Sequence, residues 1–217
     1  MSKTQIPTGG IADDAVSEEH IDATVITGST ALAAEPADTD EFLISDAGTI
    51  KRIDYSHIKG GGITHATQWR LTSGLTGATD PISANLETTD TDGFGIIGAD
   101  MSVSSGIWTF PTTGIWLVKG HGNVYLNGDS RHQHLAIHTT TDNSNYSLAA
   151  SGYSFLQQTE SNTAQNHIDV EFIFDVTNTT NCKCKFAFEN ITNANATLDA
   201  ATGASYTWFQ FIRLGDT

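Results

Sequence analysis

Cations are what this chain has least of: 10 Lys and Arg stand against 25 Asp and Glu, a formal charge of −15 over 217 residues. A surface of that sign repels nucleic-acid phosphates and anionic lipid headgroups, because it offers them no counter-charge. Neither nucleic acid nor membrane insertion is therefore expected, and the acidity serves the solubility of an exposed particle. Long apolar runs are also absent, and none approaches the roughly 18 residues needed to cross a bilayer. Residues 1–14, MSKTQIPTGGIADD, lack the apolar stretch of a secretory signal. The expectation is a protein made in a cytosol that reaches the outside by another route. The triplets Asn190–Thr192 and Asn195–Thr197 then read as products of an Asn/Thr-rich composition rather than as glycosylation sites.

Cysteine is nearly missing. Cys182 and Cys184 stand two apart in the strand-like run CKCKFAF, so both side chains point to one face. Neighbours on one strand face lie roughly 6.5–7 Å apart, at or beyond the long limit for a disulfide. A metal site would want more Cys or His at knuckle spacing. Two reduced thiols packed as small hydrophobes is the expectation, and no cofactor is expected.

Aromatic residues are scarce in the first 59 positions, which hold only Phe42 and Tyr55, whereas all four Trp follow Gly60-Gly61-Gly62. So few large apolar groups cannot close a core. Residues 1–59 are either disordered or ordered by packing against other chains, and the second reading is preferred. Within them DEFLISDAGTIKRIDYS reads as a β-hairpin: Phe42 and Ile44 alternate with Leu43 and Ser45, Asp46-Ala47-Gly48 supplies a turn, and Ile50 and Ile53 follow. An isolated hairpin is marginal in water, and three copies about one axis would cover those side chains. The pattern of Asp13–Ile26 suits either a helix or an extended chain. The expected organisation is an attachment arm at 1–30, a hairpin shaft and Gly linker at 31–62, and a head at 63–217.

From Ile63 onward short alternating runs recur between Gly, Asn, Asp and Thr clusters: THATQWRL, ISANLET, GIWTFP, GIWLVKGHGNVYL, HLAIHTTT, YSLAASGYSFLQ, HIDVEFIFDV, CKCKFAFENI and SYTWFQFIRL. This pattern predicts an all-β sandwich or jelly roll of two packed antiparallel sheets. HIDVEFIFDV and CKCKFAF are expected to pair as a hairpin through Thr177–Asn181. That pairing would set Asp169 and Glu171 beside Lys183 and Lys185 on an outer face. Phe172, Phe174, Cys182, Cys184 and Phe186 would then point into the core.

Two stretches carry a resemblance. Thr109-Phe110-Pro111-Thr112-Thr113-Gly114-Ile115-Trp116-Leu117-Val118 and the closing run Ser205–Leu214 resemble the strand-turn-strand and final strand of the trimeric jelly-roll heads of the tumour-necrosis-factor and complement globular-head superfamily. The resemblance covers about residues 63–217. It implies a homotrimeric head in which Gly114 permits a tight reversal and Trp116 and Val118 fill the core. Ile115, Leu117, Phe209 and Phe211 would make the trimer contact, with His121 on the same outer side. The stretches Ile6–Val16 and Glu35–Asp46 look like the N-terminal arm of small structural proteins of tailed bacteriophages. That likeness implies docking on a virion through Ile6, Pro7, Ile11, Val16 and Ile21.

Candidate chemistry is sparse. His132, His134 and His138 share one strand face, and an H-x-H pair can bind a transition metal; a polar strand face without metal is the preferred reading. His121 is a second metal candidate or an interface histidine. Thr88–Gly93, TTDTDG, has part of an acidic calcium loop but lacks its later Glu, and an Asp-capped turn is preferred. No G-x-S-x-G nucleophile motif or phosphate-cradling Gly loop occurs, and carboxylates are not paired among aromatics. The expected function is non-enzymatic: a trimeric virion appendage whose head meets a host surface glycan or protein. A capsid decoration protein and a free lectin-like binding module are the alternatives.

Overall fold

The fold is that of a computed structural model describing residues 27–58 and 62–217. The chain divides into two compact units, Met1–Gly60 and Gly61–Thr217. The arm residues Ile6, Pro7, Ile11, Val16 and Ile21 lie outside the described residues.

In the first unit, β1 (Glu41–Asp46) and β2 (Thr49–Asp54) form an antiparallel ribbon with Phe42 opposite Ile53 and Ser45 opposite Ile50. Ala47 and Gly48 both take positive φ, 49° and 83°, the twist that a two-residue hairpin turn requires. Because side chains alternate, Phe42, Ile44 and Ile53 share one face and Leu43 and Ile50 the other. A short 3-10 turn, Tyr55–His57, follows, and the Phe42 and Tyr55 rings sit 6.1 Å apart.

The second unit holds β3 (Ala66–Leu71), β4 (Leu75–Thr76), β5 (Leu86–Thr88), β6 (Ser102–Ser104), β7 (Ile107–Thr109), β8 (Gly114–Leu126), β9 (Ser130–Thr140), β10 (Ser147–Leu156), β11 (Ala164–Val176), β12 (Lys183–Glu189), β13 (Thr197–Leu198) and β14 (Trp208–Gly215). They build two antiparallel sheets. The larger has seven strands and runs β4-β13-β8-β14-β3-β5, with β11 on the other edge of β8; the smaller has five and runs β10-β9-β12-β7-β6. This is the all-β jelly-roll sandwich. All nine expected runs contain strands, while the two- and three-residue strands β4, β6 and β13 were too short to leave a period.

Alternation is strictest in β8, GIWLVKGHGNVYL, where buried residues alternate with half-buried ones from end to end. Its inner set, Trp116, Val118 and Val124, meets Phe209 and Phe211 of β14 and Phe186 of β12. Trp108 occupies the centre: its ring lies 4.9 Å from that of Phe211, 6.1 Å from Phe209 and 6.3 Å from Phe186. Phe110 bridges to Trp116 at 5.3 Å and to Phe174 at 5.7 Å. Burying such aromatic side chains stabilises by about 1.5–3 kcal/mol each, plus about 0.5–1.5 for ring pairs. Gly114 takes φ +139°, and a Cβ there would lie 2.6 Å from the Gly215 carbonyl; only glycine allows the reversal.

Three expectations are corrected here. First, β11 and β12 do not pair: β11 pairs β8 along its whole length, and β12 pairs β9 and β7 in the opposite sheet. Residues Thr177–Asn181 therefore cross from one sheet to the other. Asn178 shapes that crossing by accepting the backbone N–H of Thr180 and Asn181. Second, the charges find other partners. Glu171 meets Lys119 at 3.3 Å and Asp169 meets His121 at 2.7 Å, while Lys185 meets Asp80 at 2.7 Å. Lys183 is buried and donates to Thr109 Oγ1 and the Thr179 carbonyl. Third, Phe209 and Phe211 are fully buried between the sheets of their own chain, so neither can touch a second subunit. Register decides this: Phe211 stands opposite Val118 and Phe209 opposite Gly120, which puts both on the inner face.

Among the core candidates, Trp116, Val118, Phe174, Cys182, Cys184 and Phe186 are buried, whereas Phe172 is only half-buried at the sandwich margin. Both cysteines are free. Burial pushes the Cys184 thiol well above its ordinary range, which leaves it protonated and inert.

Candidate functional site

The outer face of the large sheet is the first candidate. Cross-strand register aligns Ile173 of β11, Leu117 of β8, Ile212 of β14 and Ala66 of β3 in one row, and a backbone bridge continues it to Ile97. The row ends are open: Ile173 is 60% exposed and Ile97 49%. Ile115 lies on the same face, one row further along, opposite Asp175. Of the four residues expected at a subunit contact, Ile115 and Leu117 thus lie on this outer face, and Phe209 and Phe211 do not. Sequence reasoning missed Ile173, Ile212, Ala66 and Ile97. Alternation could place Ile173, Ile212 and Ala66 on a face, but Ile97 lies in a lone bridge outside the strands, and the row exists only through pairing between distant segments.

Next to the apolar row the face turns polar. Glu171, Lys119 and Gln210 stand side by side, then Asp169, His121 and Trp208. The His121 ring stacks on Trp208 at 5.4 Å and on His167 at 5.7 Å, and its Nδ1 lies 2.7 Å from Asp169 Oδ1. The rings and carboxylate hold one another, so the His121 imidazole is fixed in place on the outer face. A cavity of about 320 Å³ beside Lys119, Asp169 and Glu171 opens to solvent.

The outer face of the small sheet is the second candidate, and it carries the candidate histidines His132, His134 and His138. In β9, Leu135 and Ile137 point inward, which turns His132, His134 and His138 outward. The rings of His132 and His134 are 5.5 Å apart, while His138 Nε2 reaches 3.5 Å toward Glu189 Oε1 across the small Ala136 and Ala187. Burial first, then the neighbouring His132, lowers the pKa of His134 against an opposing pull from Glu189. No group of three or more His, Cys, Asp and Glu among the described residues has metal-holding geometry. Tyr153 packs edge-on against His134 at 4.0 Å. It is 65% exposed, and Phe155, on the same face of β10, is 60% exposed.

The acidic loop at Thr88–Gly93 is engaged within the fold. Arg70, almost wholly buried, donates to Glu87, Asp90 and Thr91 at 2.8, 2.6 and 2.8 Å. Nearby, the Asp100 carboxylate accepts from Thr67, Trp69, Thr88 and the Met101 N–H. These carboxylates fix the β3–β5 edge, with Asp90 serving as a partner of the Arg70 guanidinium.

No protein-family profile matches the chain, and no curated protein matches its sequence. Solved structures do match. The structure of Eiger TNF from S. frugiperda superposes with a TM-score of 0.51 at 12% identity, over 72% of this chain and 96% of that one. Murine APRIL at pH 5.0 gives 0.49 at 13% identity, over 69% of this chain and 98% of that one. Murine APRIL at pH 8.5 gives 0.47 at 14% identity over the same shares. The APRIL scores fall below one half, so the fold comparison rests on Eiger. At such low identity it speaks to fold alone: the second unit is a jelly roll similar to tumour-necrosis-factor heads.

Proposed function

We propose that this chain is a non-enzymatic virion appendage whose head assembles as a homotrimer through the outer face of the seven-stranded sheet. The observation that carries the assembly is the row Ile173–Leu117–Ile212–Ala66–Ile97, apolar side chains aligned by register across the outer face of the large sheet. Such a contiguous apolar row, half-buried at Leu117, Ile212 and Ala66 and open at Ile173 and Ile97, is the usual mark of a protein contact. The trimeric heads that the sequence resembles supply the expected copy number. The ribbon of β1 and β2 supports the same reading, because Leu43 and Ile50 on one face and Phe42 on the other are exposed. A two-stranded ribbon gains stability only when something covers it. Docking of residues 1–30 on a particle rests on the likeness of the N-terminal stretches to arms of phage structural proteins.

Sedimentation equilibrium of the full chain tests the assembly. The expected mass is three times that of the 23.2 kDa chain, and Leu117→Lys is expected to sediment as a folded monomer with unchanged far-UV circular dichroism. A wild-type monomer at tens of micromolar would overturn the trimer. Particle incorporation tests the docking separately: the full chain should enter virions, and a chain beginning at Gly62 should not.

A further inference from the structure

The buried Arg70 and Asp100 networks are internally satisfied. The His121 stack lies on the face already assigned to assembly, and the buried thiols are inert. What is left is the margin of the small sheet where β9 begins and β10 ends. A solvent-open cavity of about 320 Å³ lies there, lined by Asp129, Ser130, Arg131, Phe155, Leu156 and Gln157. Its size suits a small-molecule-sized group. The exposed rings of Phe155 and Tyr153 continue from its wall toward His134.

The walls are held in place before any ligand arrives. Thr192 Oγ1 accepts the N–H of Arg131 at 2.7 Å and of His132 at 3.3 Å, which pins the start of β9 to the loop before β13. Asp129 Oδ1 accepts the Gln158 N–H at 2.7 Å, and Gln158 in turn donates to Asn127, so the β8–β9 turn is tied to the end of β10. Asn166 Nδ2 donates to the Phe155 carbonyl at 2.8 Å, fixing the strand that carries both rings. Gly152 lets this strand close on β11, since a Cβ there would lie 2.1 Å from the Asp169 carbonyl oxygen. Against that rigid frame the Arg131 guanidinium forms no ion pair and no side-chain hydrogen bond among the described residues. This happens in a chain where carboxylates outnumber cations 25 to 10.

We infer that this margin is a carbohydrate-binding site for an acidic glycan. Pyranose rings present flat C–H faces that pack on exposed aromatic faces, and their hydroxyls need planar side-chain donors and acceptors at the rim. Phe155 and Tyr153 supply the platform, Gln157 and Asp129 the rim, and Arg131 the fork for a sugar carboxylate. A protein partner would call for a broad dry patch, whereas these two rings stand beside an open polar-rimmed hollow. The inference rests on the virion-appendage reading proposed above and adds a ligand class to it, and the two fail independently: sedimentation reads assembly and sugar binding reads this surface.

The test is the full chain on a printed glycan array carrying neutral, uronic-acid and sialic-acid oligosaccharides, with hits measured by titration calorimetry. Binding to acidic members is expected, weakened about tenfold or more by Phe155→Ala or Arg131→Gln, with sedimentation unchanged. Tyr153→Ala should weaken binding in the same direction. Three outcomes overturn the inference: no acidic glycan bound, binding indifferent to these substitutions, or loss of assembly in the variants, which would make the patch a subunit contact.

Discussion

Replacing Phe211 by alanine separates an interior residue from an interface residue. Phe211 is fully buried, with its ring 4.9 Å from Trp108, 6.0 Å from Phe186 and 6.2 Å from Phe110. Removing it loses the transfer free energy of a phenyl group and leaves a cavity. Three neighbouring aromatic rings held by other segments of the chain cannot collapse fully into that space. The expected loss is about 3–5 kcal/mol. For a domain of this size it lowers Tm by roughly 6–20 °C. Differential scanning calorimetry over roughly a tenfold range of protein concentration is the assay. An interior residue shifts Tm by the same amount at each concentration, while the sedimenting mass of the folded protein stays that of the wild type. A shift under about 2 °C, or a folded variant that merely dissociates, would refute the placement of Phe211 in the core.

Two further outcomes follow from the same interior. Cys182 and Cys184 should resist a water-soluble thiol reagent in the native protein and react together on unfolding, because both are buried and the Cys184 thiol is held protonated; fast native labelling would contradict the packing. Stability should fall as pH falls below about 6.5, since burial and then Arg213 lower His65, and burial and then His132 lower His134. A lowered histidine binds fewer protons folded than unfolded, so its contribution is present above the unfolded value and lost as pH drops through the folded one. Denaturant midpoints measured across pH 5–8 check the sign. A His65→Gln, His134→Gln double variant should show a shallower slope.

The local order of the head was legible in the sequence. Runs such as GIWLVKGHGNVYL and HIDVEFIFDV alternate with period two, and the turn residues between them mark where strands stop. The inward direction of Trp116, Val118, Phe174 and Phe186 could be read from alternation, since one face of each run is more apolar than the other. Alternation was insufficient where both faces are apolar. In SYTWFQFIRL, Trp208 and Ile212 compete with Phe209 and Phe211, so alternation gives no check on the outer placement of Phe209 and Phe211 that the resemblance implies. Only pairing with β8, where Phe211 meets Val118, chose the phase.

Strand partnership was decided by the tertiary structure alone. β11 and β12 are adjacent in the chain and carry opposite charges, which favours a hairpin locally at about 0.2–1 kcal/mol per pair. Each instead fills one side of a sandwich whose aromatic core outweighs those pairs. The row from Ile173 to Ile97 and the cavity between Arg131 and Phe155 arise the same way. Their members are separated along the chain, and sequence separation says nothing about register. The amino-acid pattern determined which residues form strands and, for most of them, which faces they hide. Which faces meet was settled by packing between sheets, because burial of the aromatic core is non-local and larger than any local preference opposing it.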